Sequence, residues 1–229
     1  MIVNNSRSEG SKARLLIVDD HAVIRYGLRG LIEKEYDLEV VDEAASVEDA
    51  LESVRRGNLD LAIVDLSLRG LSGLELIRLI QDENAALPIL VFSALDERFY
   101  AERALRIGAK GYVMKQETNQ VILHAVRQLL QGELYVSHDM ASRMLHQFVG
   151  GAAEGTRTSI ERLSSRELEV FQLTGQGYAT RQIAQMLHLS VKTIESYRAS
   201  IKEKLVLQSG TELMQRAVQW VQAGISTTN

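Results

Sequence analysis

The sequence predicts a doubly wound (βα)5 domain of the α/β class, built on a parallel sheet, followed by a small all-α domain of four helices. Three observations carry that expectation. Short apolar runs recur at residues 15–18 (LLIV), 61–64 (LAIV), 89–92 (ILVF) and 111–114 (GYVM), each the pattern of a strand buried on both faces. Stretches of helical length and amphipathic spacing separate those runs, and after residue 160 only helical signals remain.

The elements follow in order. After the strand at 14–18, HAVIRYGLRGLIEKE places Val23, Tyr26/Gly27, Leu31 and then Ile32 and Tyr36 at helical spacing, which predicts an amphipathic helix with those residues inward. LEVVDEA (38–44) is of mixed polarity and suits a sheet edge. SVEDALESVRRG opens with Ser46 as an N-cap and ends at Gly57. The LAIV strand leads into a third helix over 73–82, a strand from Pro88, a fourth helix over 98–107 followed by Gly108, and a fifth over 118–130. Right-handed crossovers then place helices on both sheet faces. Residues 133–149 carry a further helical pattern with Met140, Met144, Leu145 and Phe148 on one stripe, and GGAAEGTRTS (150–159) loses periodicity and reads as a flexible linker. In the last part Ser164 and Glu167 form a capping box, Gly175 and Gly177 end that helix, a short helix spans 180–187, and a turn at 188–190 leads to VKTIESYRASIKEKL. Ser209 and Glu212 form a second capping box before the final helix. The expected division is 12–132, a linker helix and flexible linker over 133–160, and 161–225.

Composition narrows the function. The 229 residues contain no cysteine, which excludes disulfides and thiolate metal sites, and the five histidines (21, 124, 138, 146 and 188) have no metal-ligand spacing. His138 and His146 are expected on a solvated helix. No apolar stretch approaches the ~20 residues that span a bilayer, and MIVNNSRSEGSK lacks the apolar core of a signal peptide, so a soluble, cytoplasmic protein without membrane contact is expected. The net charge of −4 is uneven: residues 12–132 carry 15 Lys+Arg against 20 Asp+Glu, and residues 160–229 carry 8 against 6. So small a basic excess does not by itself imply nucleic acid.

The strand ends carry chemistry. Asp19 and Asp20, Asp65, Ser93 and Lys115 each follow an apolar run, so the sheet delivers three carboxylates, a hydroxyl and an ammonium to one edge, where open parallel sheets bind ligands. Carboxylates that close repel, by ~1–4 kcal/mol per pair at 4 Å, and a divalent cation reverses the sign. Mg2+ takes hard oxygens and neutralises phosphoryl charge. Asp65 can then act as a nucleophile toward phosphorus, with Lys115 pairing the new oxygens and Ser93 donating to them. The plainer alternative is that strand-end carboxylates cap the next helices.

VDDH with Arg25 and Gly27, DLSLRGLSGLEL, FSA and GAKGYVMK resemble two-component response regulators, and LSSRELEVFQLTGQGYATRQIAQMLHLSVKTIESYRASIKEKL resembles the LuxR-type DNA-binding signature of the NarL/FixJ subfamily. The resemblance covers residues 13–222. It implies Asp65 as phosphoacceptor from a histidine kinase, Asp20 as a direct Mg2+ ligand, Asp19 acting largely through water, and Ser67 offering its backbone carbonyl. Ser93 and Tyr112 match the switch positions and Lys115 the lysine; phosphorylation is expected to draw Ser93 and Lys115 inward with Tyr112 following. Arg69 and Gln116 stand where the family usually has proline. His21 reads as a local hydrogen-bonding residue.

In the second module Ile194, Tyr197, Ile201 and Leu205 share one helical face and are expected to pack inward. Lys192, Glu195, Ser196, Ala199 and Lys202 face outward, either as a solvated surface or as the face that enters a major groove. The resemblance favours DNA: Glu195, Ser196 and Ala199 would read bases, and Thr180, Arg181, Lys192, Thr193, Tyr197 and Lys202 would hold phosphates. Tyr197 replaces the commoner histidine, and Gly210 lies near a usual arginine. The implied protein is not an enzyme but a phosphorylation-dependent, promoter-binding transcription regulator that dimerises on activation. One rival is an aspartyl-phosphate enzyme, which needs an acid two residues after the nucleophile, where this chain has Ser67. Another is a DNA-binding protein whose receiver is an unphosphorylated dimerisation platform.

Overall fold

A computed structural model describes residues 11–68, 72–149 and 159–225. Arg69, residues 150–158 of the 150–159 stretch read as a flexible linker, and the first ten residues lie outside that set. The chain divides into two compact units, residues 1–140 and 141–229.

The first unit alternates strand and helix five times: β1 (Ala13–Val18), α1 (Ala22–Ile32), β2 (Leu38–Ala44), α2 (Val47–Arg56), β3 (Leu61–Val64), α3 (Gly73–Glu83), β4 (Ile89–Ser93), α4 (Glu97–Arg106), β5 (Gly111–Met114) and α5 (Asn119–Leu130). All pairings are parallel in the order β2-β1-β3-β4-β5, so the mixed-polarity β2 lies at an edge. Strand order reverses between β1 and β3, where Val18 is in register with Val64 and the Asp65 N–H donates to the Val18 carbonyl at 2.9 Å. Asp19 and Asp65 are therefore neighbours because their strands are.

Successive strand residues point to opposite faces. Leu15, Ile17, Ile63, Leu90, Phe92 and Val113 pack into one cluster with Leu28 and Ile32 of α1 and Ile122, Ala125, Val126 and Leu129 of α5. Leu16, Val18, Ala62, Val64, Val91 and Tyr112 alternate to the other face and are also buried. Full burial of each such aliphatic side chain stabilises by ~1.5–3 kcal/mol, which is why the central strands read as unbroken apolar runs.

The inward face of α1 matches the expected one at Leu31 and Ile32 and differs at Val23, Tyr26 and Tyr36. Leu28 and Ile32 are buried, with Ile24 and Leu31 packed beside them, whereas Val23 and Tyr26 are each 81% exposed and Tyr36, beyond the helix, is 87% exposed. The helix carries apolar residues on more than one stripe, and the path of the β1–α1 turn decides which stripe meets the sheet. Caps fall where expected: Ser46 accepts from the Asp49 N–H, and Gly57 adopts φ +75° after α2. Ser72 and Glu75 close a capping box on α3. The start of α5 moves by one residue, because Thr118 is its N-cap.

The segment after α5 departs from the helical pattern expected over 133–149, because helix begins only at His138. The Tyr112 N–H donates to the Tyr135 carbonyl at 2.9 Å and the Tyr135 N–H to the Lys110 carbonyl at 3.0 Å, so this segment pairs along the outer edge of β5. Ser137 donates to Glu97 at 2.5 Å and accepts from the Met140 N–H at 3.1 Å, opening α6 (His138–Val149) against the start of α4. Burial raises the Glu97 pKa against the opposing pull of that hydroxyl. In α6 Met140 is buried but Leu145 is 64% exposed, so the two do not share an inward stripe; the Phe148 side chain lies outside the described residues. His138 and His146 are exposed, as expected.

Beyond α6, which runs across the boundary at residue 140, the described residues of the second unit form a short 3₁₀ turn (Ser159–Arg162) and the helices α7 (Ser165–Gly175), α8 (Thr180–Met186), α9 (Val191–Leu205) and α10 (Gly210–Ile225). Ser164 and Glu167 form the capping box on α7. Gly177 has φ +89° just past the helix, but Gly175 acts differently: a Cβ there would lie 2.4 Å from the Ala217 carbonyl oxygen, so its small size lets α7 and α10 approach. Ser209 caps α10 through the Glu212 N–H at 3.1 Å, while the Glu212 carboxylate accepts from the Gln208 N–H rather than from that of Ser209. Gly210 has open space around its Cβ position, so the fold does not require glycine there. Leu168, Phe171, Ile183, Ile194, Ile201, Leu205, Leu213 and Ala217 fill the core, and Phe171 meets Trp220 at 5.5 Å between ring centroids.

Candidate functional site

The carboxyl ends of β1, β3, β4 and β5 bring Asp19, Asp20, Asp65, Ser93 and Lys115 to one edge. Asp65 is 1% exposed and Asp19 2%, and the Lys115 ammonium lies between them, 2.8 Å from Asp65 Oδ2 and 2.6 Å from Asp19 Oδ2. Burial alone would lower the Lys115 pKa, but the charges and hydrogen bonds of Asp65 and Asp19 outweigh it and raise it. One ammonium thus balances part of a multiply negative cluster that would otherwise repel itself.

The β1–α1 turn sets the remaining acids. The His21 N–H donates to Asp19 Oδ1 at 2.8 Å, and the imidazole Nδ1 lies 2.7 Å from Asp20 Oδ1 and 3.2 Å from Asp19 Oδ1. His21 is therefore the local partner of both carboxylates, as expected of it. One ligand atom from each of Asp19, Asp20, His21 and Asp65 lies within 4.8 Å of the others. Asp65 Oδ1 is buried with no hydrogen-bond partner among the described residues. An unpartnered carboxylate oxygen is costly to bury, and hard oxygens in this number fit Mg2+. Ser67 is half-buried on the loop that follows.

Ser93 is fully buried and its hydroxyl accepts from the Leu95 N–H at 3.3 Å. Tyr112 is also fully buried, and its hydroxyl donates to the Leu95 carbonyl at 2.7 Å. Burial, reinforced by the charge of Asp65, pushes the Tyr112 pKa well above the ordinary phenol value, so the hydroxyl remains a donor. Tyr112 lies inside the fold and Lys115 touches Asp65. The peptide after Lys115 is trans, with Gln116 in the usual proline position.

In the second unit α8 and α9 are joined by a tight turn in which His188 adopts φ +53°. Ser190 caps α9 by accepting from the Thr193 N–H at 3.0 Å. Ile194 and Ile201 are fully buried and Leu205 nearly so, but Tyr197 is only half-buried, between the inward face and the surface. Lys192, Glu195, Ser196 and Ala199 are exposed on one side of α9, with Lys202 half-buried beside them. Thr180 and Thr193 are half-buried and Arg181 exposed, at the starts of α8 and α9. Among the described residues Glu195 pairs with no cation, although Lys192, Arg198 and Lys202 are within helical reach.

Two further sets of contacts that the sequence did not reveal hold this unit in shape. Arg198 Nη1 donates to Thr180 Oγ1 at 3.3 Å, tying α9 to the start of α8. Glu167 accepts from Lys204 and from Ser200, each at 2.6 Å, as well as from the Ser164 N–H. Burial opposes the ionised Glu167, but these donors hold its carboxyl below the usual carboxylate range. The capping-box pattern identified Glu167 locally; the link to α9 depends on long-range packing.

Comparison with known proteins places both units. Residues 15–127 match the response regulator receiver domain, and residues 161–217 match the bacterial regulatory proteins of the luxR family. The oxygen regulatory protein NreC of Staphylococcus carnosus (strain TM300) is 36% identical over 210 residues, 90% of this chain and 97% of its own length. A two-component response regulator of the LuxR family from Aurantimonas sp. SI85-9A1 is 34% identical, with TM-score 0.57 over 61% of this chain and 99% of its own. RcsB from Salmonella enterica serovar Typhimurium, solved bound to promoter rprA in the presence of the phosphomimetic BeF3−, is 25% identical, with TM-score 0.58 over 90% of this chain and 98% of its own. No helix among the described residues is long and apolar enough to cross a membrane. The chain therefore belongs to the two-component response regulators of the NarL/FixJ subfamily, with a receiver domain followed by a LuxR-type DNA-binding domain.

Proposed function

We propose that this chain is a cytoplasmic transcription regulator that accepts a phosphoryl group on Asp65 from a histidine kinase and, so modified, binds promoter DNA as a dimer. The observation that carries this reading is the buried Asp65 carboxylate, with one oxygen on Lys115 and the other unpartnered beside Asp19 and Asp20. An Asp65 oxygen attacks phosphorus, the bond from phosphorus to the donor's imidazole nitrogen breaks, and that nitrogen keeps the electron pair. Asp19, Asp20 and Asp65, with the Ser67 carbonyl, would hold Mg2+, which when bound supplies charge neutralisation to the phosphoryl oxygens. Lys115 exchanges its contact with Asp65 for one with the phosphoryl group, and Ser93 donates its hydroxyl proton to the same group. The 12–132, 133–160 and 161–225 division suits this scheme, with the first few linker residues pairing to β5.

The direct test is intact-mass measurement after incubation with acetyl phosphate and Mg2+. The wild-type chain is expected to gain one phosphoryl group and Asp65→Ala none; equal labelling of both would place the acceptor elsewhere.

On DNA, Glu195, Ser196 and Ala199 face the base edges, and Thr180, Arg181, Lys192, Thr193, Tyr197 and Lys202 hold phosphates. Glu195 is the informative member. Phosphates repel its carboxylate, so in a groove it serves as an acceptor for a cytosine amino group or as a means of rejecting other bases. Its lack of an ion pair among the described residues favours that role over intrahelical pairing, which would contribute only a few tenths of a kcal/mol. Glu195→Ala is expected to leave non-specific affinity unchanged or slightly tighter and to relax preference at one base pair per half-site by ~1–3 kcal/mol. Selection from a random DNA pool measures this; identical preferences for both proteins would make Glu195 a solvated helix residue.

A further inference from the structure

Arg25 is not among the strand-end residues, yet it reaches their backbone. It lies in the first turn of α1, with its side chain 17% exposed. Nη1 donates to the backbone carbonyl of Asp19 at 2.6 Å, and Nε donates to Glu43 Oε2 at 3.2 Å. Glu43, on β2, is itself fixed by Arg29, whose Nε donates to Oε1 at 2.5 Å. The Asp19 N–H donates to the carbonyl of Ala44, the residue after Glu43, at 3.1 Å. The end of β2 therefore holds Asp19 from both sides: directly at its N–H, and through the Glu43–Arg25 pair at its carbonyl.

That carbonyl opens the turn carrying Asp20 and His21, which belongs to neither β1 nor α1. It has left the sheet ladder, so its direction is set by whatever donor it finds. Arg25 supplies that donor from a planar fork whose orientation Glu43 fixes. The pairing with Glu43 also offsets the guanidinium charge, so its effect on a nearby cation is geometric more than electrostatic.

We infer that Arg25 is a positioning residue for the divalent-cation site: the Glu43-anchored guanidinium fixes the β1–α1 turn so that the Asp19 and Asp20 carboxylates converge with Asp65. This rests on the function proposed above. Outer partners that orient ligands alter metal affinity by about 10- to 100-fold when removed, and that is the scale expected here. Lysine keeps the charge of arginine but lacks the fork that spans Glu43 and the Asp19 carbonyl together.

The test is a Mg2+ titration of the full-length, 15N-labelled chain followed by the amide shifts of residues 19, 20 and 65, for wild type, Arg25→Lys and Glu43→Gln, well below their melting temperatures. Both variants are expected to keep the dispersed amide spectrum of the wild type and to bind Mg2+ about tenfold more weakly or worse. The rate of phosphorylation by acetyl phosphate should fall at limiting Mg2+ and return to near the wild-type rate at saturating Mg2+. Wild-type Mg2+ affinity in Arg25→Lys would overturn the inference, as would a rate defect that saturating Mg2+ does not relieve. Absence of any Mg2+ shift in the wild-type chain would overturn both this inference and the metal site on which it rests, which separates the two failures.

Discussion

Gly73→Ala is expected to destabilise the receiver domain by ~3 kcal/mol or more, the upper end for overpacking, and to slow phosphorylation of Asp65 by about 100-fold. Gly73 is the first residue of α3, and its N–H donates to the Leu66 carbonyl at 2.9 Å. A Cβ at this position would lie 2.3 Å from the Asp65 carbonyl oxygen and 2.4 Å from the Leu66 Cα. Both are backbone atoms of the segment that presents the proposed acceptor, the Asp65 carboxylate, so no rotamer change relieves the clash. Either α3 withdraws or Asp65 moves, and a displacement of ~1 Å suffices for a rate loss of that size. Chemical denaturation and a phosphorylation time course measure the two effects. A variant close to wild type in both would mean that the loop relaxes without moving Asp65.

Phe171→Ala is expected to destabilise the DNA-binding domain by ~3–5 kcal/mol. The ring is fully buried in α7 and packs against Trp220 of α10 at 5.5 Å, so truncation leaves a cavity between the two helices that α9 also packs upon. Trp220 is the chain's single tryptophan, which makes its fluorescence a reporter for this domain alone. The Trp220 unfolding transition should shift to much lower denaturant and DNA binding should be lost. Phosphoryl uptake by the receiver should persist, because its core lies within residues 13–129. A loss of phosphoryl uptake equal to the loss of DNA binding would show that the two domains do not fold independently.

What was legible in the sequence depended on how local the physics was. The parallel strands stood out because burial on both faces demands unbroken apolar runs, and the capping serines 46, 164 and 209 because a cap is a contact within one turn. The inward face of α1 was misread in part: Leu31 and Ile32 pack inward as expected, but Val23 and Tyr26 fit a helical stripe as well as Leu28 does, and only the exit direction of the turn separates them. Gly175 ends α7 as expected, but that its small size also admits the Ala217 carbonyl depends on a contact 42 residues away in sequence, and the Tyr135 pairing to β5 uses backbone groups that leave no side-chain signature. At the site, strand-end positions identified Asp19, Asp20, Asp65, Ser93 and Lys115. The Lys115 bridge, the buried position of Tyr112 and the hold of Arg25 on the Asp19 carbonyl emerge only once strand order and turn path are fixed.

The central claim, that a phosphoryl group on Asp65 controls binding to DNA, is tested most directly by measuring promoter-DNA affinity with and without acetyl phosphate and Mg2+, for the wild-type chain and for Asp65→Ala at fixed salt. The account predicts that phosphorylation tightens binding of the wild-type chain and leaves Asp65→Ala at its unphosphorylated affinity. Equal affinity of the wild-type chain before and after stoichiometric phosphorylation would contradict it.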